Sequence, residues 1–360
     1  MKTGKSIREL ASELQRIRDT SHDFVVPTDQ MLMRVNNEKI HELTFEDKAY
    51  SLNNWSHSQV SGYTKIPKTY YDRIKSEDAL LLASNVNHGF QMAIQKALVA
   101  KKQEARMVRV TDNHVRALVS SRYRRLDFFD LLEQVFPVMA DNQLEVRSSE
   151  LTERRMFIKA FTRKFDTEIK KGIVVGYGLN VSCSDVGSGA VKIEPMTREY
   201  ICDNGMIWDI AMRKFHIGRN QAGDSIEELL TDKTKELDDA AFWAKVKDIL
   251  VASMKPEIFE RQTNKLREAA GLEIKNFDIP KVVELSMSEV GVTGEGTKNS
   301  IVNYLANGAD GRGLNKWGLA NAFTFAAQSE DVDYETATDL EKAGSKVIEL
   351  PAKKWDEISG

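Results

Sequence analysis

The feature that most constrains the fold is a change in the spacing of apolar residues near the middle of the chain. Between residues 106 and 206 apolar and polar side chains alternate with a period of about two, as they do along strands, whereas most of the flanking sequence repeats at helical spacing. In the N-terminal flank, residues 23–35 alternate loosely and residues 39–43 follow a turn at Asn36 and Asn37, so two further strands are predicted there. The alternating segments predict strands at residues 107–110, 115–119, 144–147, 154–163, 172–182 and 191–202, with one helix at 127–139. Because the connections are short, neighbouring strands should run antiparallel. The sequence therefore predicts an α+β fold in which a central curved antiparallel sheet is flanked by helical N- and C-terminal regions.

The flanking regions set the predicted domain boundaries. Ile7, Leu10 and Leu14 follow helical spacing behind Ser6, which suits an N-cap. Residues 59–71 have the outline of a helix-turn-helix segment, an outline that many packed helix pairs share. With 360 residues, the chain is long enough for two modest domains or for one large core with appendages. We divide it into an N-terminal mixed region at residues 1–102, an antiparallel sheet core at 103–222 and a C-terminal helical region at 223–360.

Composition excludes several classes of protein. Hydrophobic residues make up 41% and charged residues 29%, which is usual for a soluble globular chain and not for a disordered or collagen-like one. No apolar stretch approaches the roughly 18 residues that cross a bilayer, so we expect no membrane segment. Cys183 and Cys202 lack the spacing of a zinc site or a disulfide framework, and both suit a reducing cytoplasm. We expect neither a metal nor another cofactor.

Positive charge is concentrated in the middle of the chain. The net charge is −3, yet residues 96–171 contain 17 Lys and Arg against 11 Asp and Glu. Such an excess occurs both on ordinary solvated faces and on surfaces that bind anionic partners. The residues that carry the charge decide between these two interpretations.

The predicted strand at residues 154–163 is the strongest candidate for a binding surface. Alternate side chains of a strand point to opposite faces. One face of this strand carries Arg155, Phe157, Lys159, Phe161 and Arg163. Arginine and lysine bind the phosphates of a single nucleic-acid strand, and aromatic rings stack on its bases. The alternative is that both phenylalanines pack beneath a covering helix while the basic side chains extend outward.

Neighbouring segments would extend this face. Three arginines would continue the track of phosphate contacts: Arg122, Arg124 and Arg125. Arg198 and Tyr200 repeat the pairing of a cation with an aromatic ring on a later strand. Gly176 and Gly178 lie within the predicted strand at residues 172–182, where glycines indicate either the close approach of a ligand or a bend in a curved sheet.

Motifs for catalysis are weak. The glycine-rich segment at residues 291–298 lacks the Gly-Lys-Ser/Thr ending of a phosphate loop, and the six histidines are scattered. Asp127, Asp130 and Glu133 would lie close together at the start of a helix, where they could hold Mg²⁺ for cleavage of a phosphodiester. Acidic residues at a helix N-terminus are also favoured by the helix dipole alone. We therefore predict a binding protein without enzymatic activity, with a metal-dependent nuclease as an alternative.

Five segments together resemble a known family. They are residues 66–73 (IPKTYYDR), 115–124 (VRALVSSRYR), 184–189 (SDVGSG), 200–206 (YICDNGM) and 317–324 (WGLANAFT). In this order, which spans most of the chain, they are similar to the domain of unknown function 932 family, carried by phages, prophages and plasmids. The resemblance implies a role on mobile DNA in the cytoplasm of a host cell. By analogy of fold alone, it also suggests a relation to the phage single-strand annealing proteins. Those proteins hold single-stranded DNA along a basic groove beside a curved antiparallel sheet.

We predict from these observations a phage or mobile-element protein that binds single-stranded DNA, with strand annealing as a further activity. The amphipathic helix behind Ser6 predicts a homo-oligomer whose contacts involve the terminal helices. The alternative is an accessory or regulatory protein that acts through contacts with a phage or host protein. Those contacts would be made by acidic residues of the C-terminal helices: Glu330, Asp331, Asp333, Glu335, Asp339 and Glu341.

Overall fold

The computed structural model describes residues 1–101, 103–123, 127–209, 232–308 and 313–360 of the chain. Within them the strands are β1 (Ser21–Pro27), β2 (Leu32–Val35), β3 (His41–Phe45), β4 (Lys48–Leu52), β5 (Ala105–Thr111), β6 (His114–Ser120), β7 (Glu145–Leu151), β8 (Met156–Lys170), β9 (Ile173–Cys183), β10 (Lys192–Glu199) and β11 (Gly205–Ile207). The helices are α1 (Ile7–Thr20), α2 (Asn54–Thr64), α3 (Lys68–Glu77), α4 (Ala79–Val99), α5 (Phe128–Asp141), α6 (Asp232–Ser253), α7 (Pro256–Ala270), α8 (Ile279–Val290), α9 (Glu295–Ala306), α10 (Lys316–Ala326), α11 (Tyr334–Ile348) and α12 (Ala352–Ser359).

The strands form two sheets, and the predicted α+β class is confirmed. One sheet has six strands in the order β1-β5-β6-β4-β3-β2, with β4 and β6 parallel, and the other has five antiparallel strands in the order β11-β10-β9-β8-β7. The hairpin β5–β6 therefore belongs with the N-terminal strands, since Phe24 of β1 lies opposite Val108 of β5. The boundary predicted between residues 102 and 103 thus divides the six-stranded sheet, and the boundary between 222 and 223 lies outside the described residues.

Local sequence signals account for the first helix and for the hairpin, as predicted. The backbone N–H of Glu9 donates to the hydroxyl of Ser6, and the backbone N–H of Ser6 donates to the Glu9 carboxylate at 2.8 Å, so α1 begins with a capping box. Between β5 and β6, Asp112 and Asn113 have φ angles of 47° and 65°. Asp and Asn tolerate positive φ better than other side chains, and two such residues form the tight turn that suits twisted strands.

Helix α1 packs against its own chain. Its apolar residues Leu10, Leu14 and Ile17 are buried, and the helix contacts both β7 and β5. Ile7, at the start of the helix, is 39% exposed. Because this apolar face is covered within the chain, it is not available as the oligomer contact expected of it. The homo-oligomer itself stays a prediction.

Both faces of the five-stranded sheet are covered by helices. On one face, Tyr177 of β9 packs against Phe259 of α7, with ring centroids 5.1 Å apart. Helix α11 lies on the other face, where the hydroxyl of Ser345 donates to the backbone oxygen of Ile207 at 2.6 Å. This sheet is therefore an interior layer over much of its area.

An ion cluster around Arg109 of β5 joins the two sheets. Its guanidinium donates to the carboxylates of Asp23 at 2.8 Å and Asp127 at 2.9 Å, and to the backbone oxygen of Asp185 at 2.6 Å. Arg116 of β6 binds the Asp185 carboxylate through two hydrogen bonds of 3.0 and 2.9 Å. Burial opposes the charge of Arg109, but the three carboxylates outweigh it and raise the pKa of the guanidinium. The loop after β9, which carries Asp185, thereby fastens the five-stranded sheet to the hairpin β5–β6.

Candidate nucleic-acid interface

Lys159, at the centre of the predicted binding face, is buried. Its exposed fraction is 0%, and its Nζ donates to Oε2 of Glu341 at 2.6 Å. The same Nζ lies 4.6 Å from the ring centroid of Tyr334. Burial lowers the pKa of Lys159, and the carboxylate of Glu341 opposes this shift. Glu341 and Tyr334 belong to α11, so the helix that covers this face also supplies the partners of its central cation.

The aromatic residues of the same face are buried as well. Phe157 packs against Tyr334 with ring centroids 5.3 Å apart, and Phe161 lies in a small apolar cluster shared with β10 and β11. Both phenylalanines are 4% exposed. Arg155 is 9% exposed and donates to the backbone oxygen of Ala190 at 3.0 Å. The expectation of an open face is wrong, since a helix covers the face and neither ring is accessible to a base. The alternative is right about the covering helix but not about the cations, because Arg155 and Lys159 are buried rather than extended outward.

The glycines of β9 make room for two aromatic rings. A Cβ on Gly176 would lie 2.3 Å from the hydroxyl oxygen of Tyr200, and a Cβ on Gly178 would lie 2.5 Å from Cδ1 of Phe161. Both separations are far shorter than a van der Waals contact, so a larger residue would displace the ring. At Gly178 the nearest atom is the backbone oxygen of Ala160, at 2.2 Å from the added Cβ. The close approach of neighbouring side chains and of the adjacent strand, rather than of a ligand, accounts for these glycines.

Arg163, the last residue of the predicted face, is exposed. It lines a surface cavity of about 550 Å³ together with Arg147 of β7, Arg198 of β10 and Tyr200. The guanidinium carbons of Arg163 and Arg198 each lie 5.6 Å from the centroid of the Tyr200 ring. We call these four residues the arginine patch. It brings guanidinium groups from three strands to one cavity.

Carboxylates at the rim partly balance the arginine patch. Glu145 pairs with Arg147 at 2.5 Å, and Asp203 pairs with Arg198. The side chains of Glu145 and Asp203 are 70% and 51% exposed, so water and salt screen both pairs. Arg163 has no carboxylate within ion-pair distance among the described residues. Asp166 also lines the cavity, where its carboxylate accepts a hydrogen bond from Tyr200. An anion entering the cavity would therefore meet this carboxylate, one unpaired guanidinium and two guanidiniums whose partners are exposed.

Tyr200 adds no negative charge to the patch. Its hydroxyl donates to Oδ1 of Asp166 at 2.7 Å. Burial and this hydrogen bond raise the pKa of Tyr200 to about 12. The phenol is therefore neutral near pH 7, and its ring serves as a support on which the two nearby guanidiniums lie.

The other predicted contact residues are not part of this cavity. Arg122 is exposed just after β6 and does not line it. Arg124 and Arg125 lie outside the described residues. Of the five residues on the predicted strand face, only Arg163 reaches the arginine patch.

The acidic residues near the start of α5 have other partners. Asp127 pairs with Arg109 at 2.9 Å. Burial, followed by the charges of Asp127 and Glu133, raises the pKa of Asp130. In the part of the chain that the structure describes, no group of three His, Cys, Asp or Glu side chains could hold a metal ion.

Arg147 is a site residue that its sequence pattern does not indicate. The pairing of β7 with β8 shifts register between Val146 and Ser148, so simple alternation along β7 does not show which face Arg147 takes. The one available signal is that Arg147 is a basic residue on the predicted strand that precedes the strand of Arg163.

No family model, curated protein or solved structure matches this chain. No helix within the described ranges is both long enough and apolar enough to cross a membrane. The geometry and charge of the surface are what indicate its ligand.

Proposed function

We propose that the protein binds a single strand of nucleic acid through its phosphates at the arginine patch. The observation that carries this proposal is the convergence of Arg147, Arg163 and Arg198 on one cavity of about 550 Å³. Guanidinium groups bind phosphate oxygens through paired hydrogen bonds. A concave cavity admits a flexible single strand more readily than the convex and stiff surface of a duplex.

Binding at this surface would leave the bases free. The guanidinium groups of Arg163 and Arg198 already lie against the ring of Tyr200. Because Phe157 and Phe161 are buried, the patch offers no open aromatic face on which a base could stack. Phosphates carry no sequence information, and we therefore expect binding that is independent of sequence. A strand held with its bases exposed can pair with a complementary strand, which is the arrangement that annealing requires.

The five segments that resemble the domain of unknown function 932 family imply a setting on mobile DNA, although no family model matches the chain. That family belongs to phages, prophages and plasmids, and one of the similar segments, residues 200–206, begins at Tyr200 of the arginine patch. We infer a binding role on mobile DNA in the cytoplasm of a host cell, without enzymatic activity.

Salt-dependent binding of a fluorescein-labelled oligo(dT) tests this function. Arg147→Ala and Arg163→Ala each remove an exposed cation. Each should weaken binding about tenfold and lower the slope of log K against log salt by roughly 0.7, because fewer counterions are released. Fluorescence anisotropy over a series of NaCl concentrations measures both quantities.

Arg154→Ala is the matched control for these variants. The side chain of Arg154 is 45% exposed, compared with 40% for Arg147, and it lies just before β8 and outside the patch. This variant should bind oligo(dT) as the native protein does. Unchanged binding by both patch variants, or binding that does not depend on salt, would contradict the proposal.

A further inference from the structure

A second concave surface lies on the side of the six-stranded sheet. It has a volume of about 970 Å³ and lies between helix α4, the turn that joins α2 to α3, and the hairpin β5–β6. Ile66, Met92, Ala93 and Leu118 are among its apolar lining residues. We call it the α4 groove. Its volume is within the range of cavities that hold ligands in proteins.

The α4 groove is positively charged. Lys65 and Lys96 line it, and neither amine makes an ion pair or a hydrogen bond with any described residue. Arg106 and Glu104 also line the groove and neutralise each other, with Nη2 of the arginine 3.2 Å from Oε1 of the glutamate. The charges of the two lysines are thus left uncompensated. The groove is therefore complementary to an anionic ligand.

Three exposed apolar residues lie along one side of α4 at the groove, with His88 between them. Leu81, Met92 and Val99 are 45%, 44% and 87% exposed. At about 100° per residue, their spacing places all three within about 20° of one line along the helix. Exposed apolar side chains at the edge of a groove can pack against the apolar side chains of a bound peptide.

Arginines lie over both aromatic rings of the α4 groove, although Tyr70 stays 40% exposed. The guanidinium of Arg106 lies 4.0 Å from the ring centroid of Tyr63, and that of Arg73 lies 5.5 Å from the centroid of Tyr70. A nucleic-acid strand would meet the two lysines here but only one partly exposed ring, that of Tyr70, on which to stack a base. The apolar side chains of a peptide, in contrast, suit the apolar lining.

We propose that the α4 groove binds an acidic peptide segment of a partner protein that also carries apolar side chains. The apolar side chains of this segment pack against Met92 and Leu118, and its carboxylates pair with Lys65 and Lys96. The groove shares no residue with the arginine patch. The α4 groove can therefore hold a partner protein whether or not a nucleic-acid strand occupies the arginine patch.

A fluorescein-labelled peptide that repeats the sequence Glu-Leu-Leu-Glu is the probe for this site. The control probe has Lys in place of every Glu. We expect the acidic peptide to bind the native protein at least about tenfold more tightly than the basic peptide. Met92→Glu and Lys96→Glu each place a carboxylate in the groove, and each should weaken binding of the acidic peptide at least about tenfold.

Leu98→Glu is the matched control. Leu98 is 69% exposed on the same helix and lies about 120° from Met92 around the helix axis, on the side away from the groove. This variant should bind the acidic peptide as the native protein does, and circular dichroism checks that each variant is folded.

Several outcomes would overturn the proposal. Equal binding of the two peptides would remove its electrostatic basis, and normal binding by Met92→Glu would place the peptide elsewhere. Displacement of the acidic peptide by oligo(dT) would make the groove a nucleic-acid site. A dimeric mass in light scattering that Met92→Glu reduces to a monomeric mass would make the occupant a second copy of this chain.

Discussion

A buried ion pair determines how one face of the five-stranded sheet is used. The side chains of Lys159 and Glu341 are both 0% exposed, and Lys342 pairs with Glu194 at 2.8 Å on the same side of the sheet. Removing charges from water costs several kcal/mol per ion, and their attraction offsets this cost only while both partners are present. The pair therefore ties α11 to β8, and a residue that resembles a phosphate-binding cation in the sequence is instead part of the interior.

Lys159→Ala should lower the free energy of unfolding by about 3–5 kcal/mol, because Glu341 would become a buried and unpaired carboxylate. The double variant Lys159→Met with Glu341→Leu should recover most of that loss, since it removes both charges and keeps the volume. Urea unfolding followed by circular dichroism measures these differences. Arg147→Ala, which removes an exposed pair, should cost less than about 1 kcal/mol. A fully stable Lys159→Ala protein that no longer binds oligo(dT) would show that Lys159 contacts the strand.

The individual elements follow from the sequence more completely than their packing does. α1, the hairpin β5–β6 and the long strands β8 and β9 are indicated by caps, turn residues and alternation, which are local signals. The position of α11 is not indicated, because the contact between Lys159 and Glu341 joins residues 182 positions apart. The sequence pattern of a β-strand with basic residues on one face is compatible both with a sheet face covered by a helix and with a face open to solvent. The division into two sheets likewise depends on the long-range pairing of β1 with β5.

Leu14→Ala in α1 should lower the free energy of unfolding by about 2–5 kcal/mol, because Leu14 is 1% exposed within the main core. Ile7→Ala is the matched control on the same helix. Since Ile7 is 39% exposed, its truncation should cost much less. Urea unfolding compares the two variants, and light scattering gives their masses. If α1 were an oligomer contact instead, Leu14→Ala would lower the mass and leave the stability of the protomer nearly unchanged.

At the scale of the whole molecule, the two proposed binding surfaces lie on different sheets. The arginine patch is on the five-stranded sheet, and the α4 groove is beside the six-stranded sheet. The cluster of Arg109 with Asp185 connects the two sheets through buried hydrogen bonds. Arg163 was predictable from the sequence because alternation places it on one face of a strand. The cavity around it was not predictable, since it combines residues of β7, β8 and β10 whose alignment depends on the register of the sheet.

Photochemical cross-linking from azidophenacyl groups attached to the phosphorothioates of a single strand, with the products located by mass spectrometry, tests most directly where the phosphates of a nucleic acid lie. We predict cross-links to Tyr200 and to neighbouring residues of β8 and β10, and we expect Arg163→Ala to lose them. Cross-links confined to Phe157 and Phe161, or to Tyr63 in the α4 groove, would contradict the assignment of the arginine patch as the binding surface.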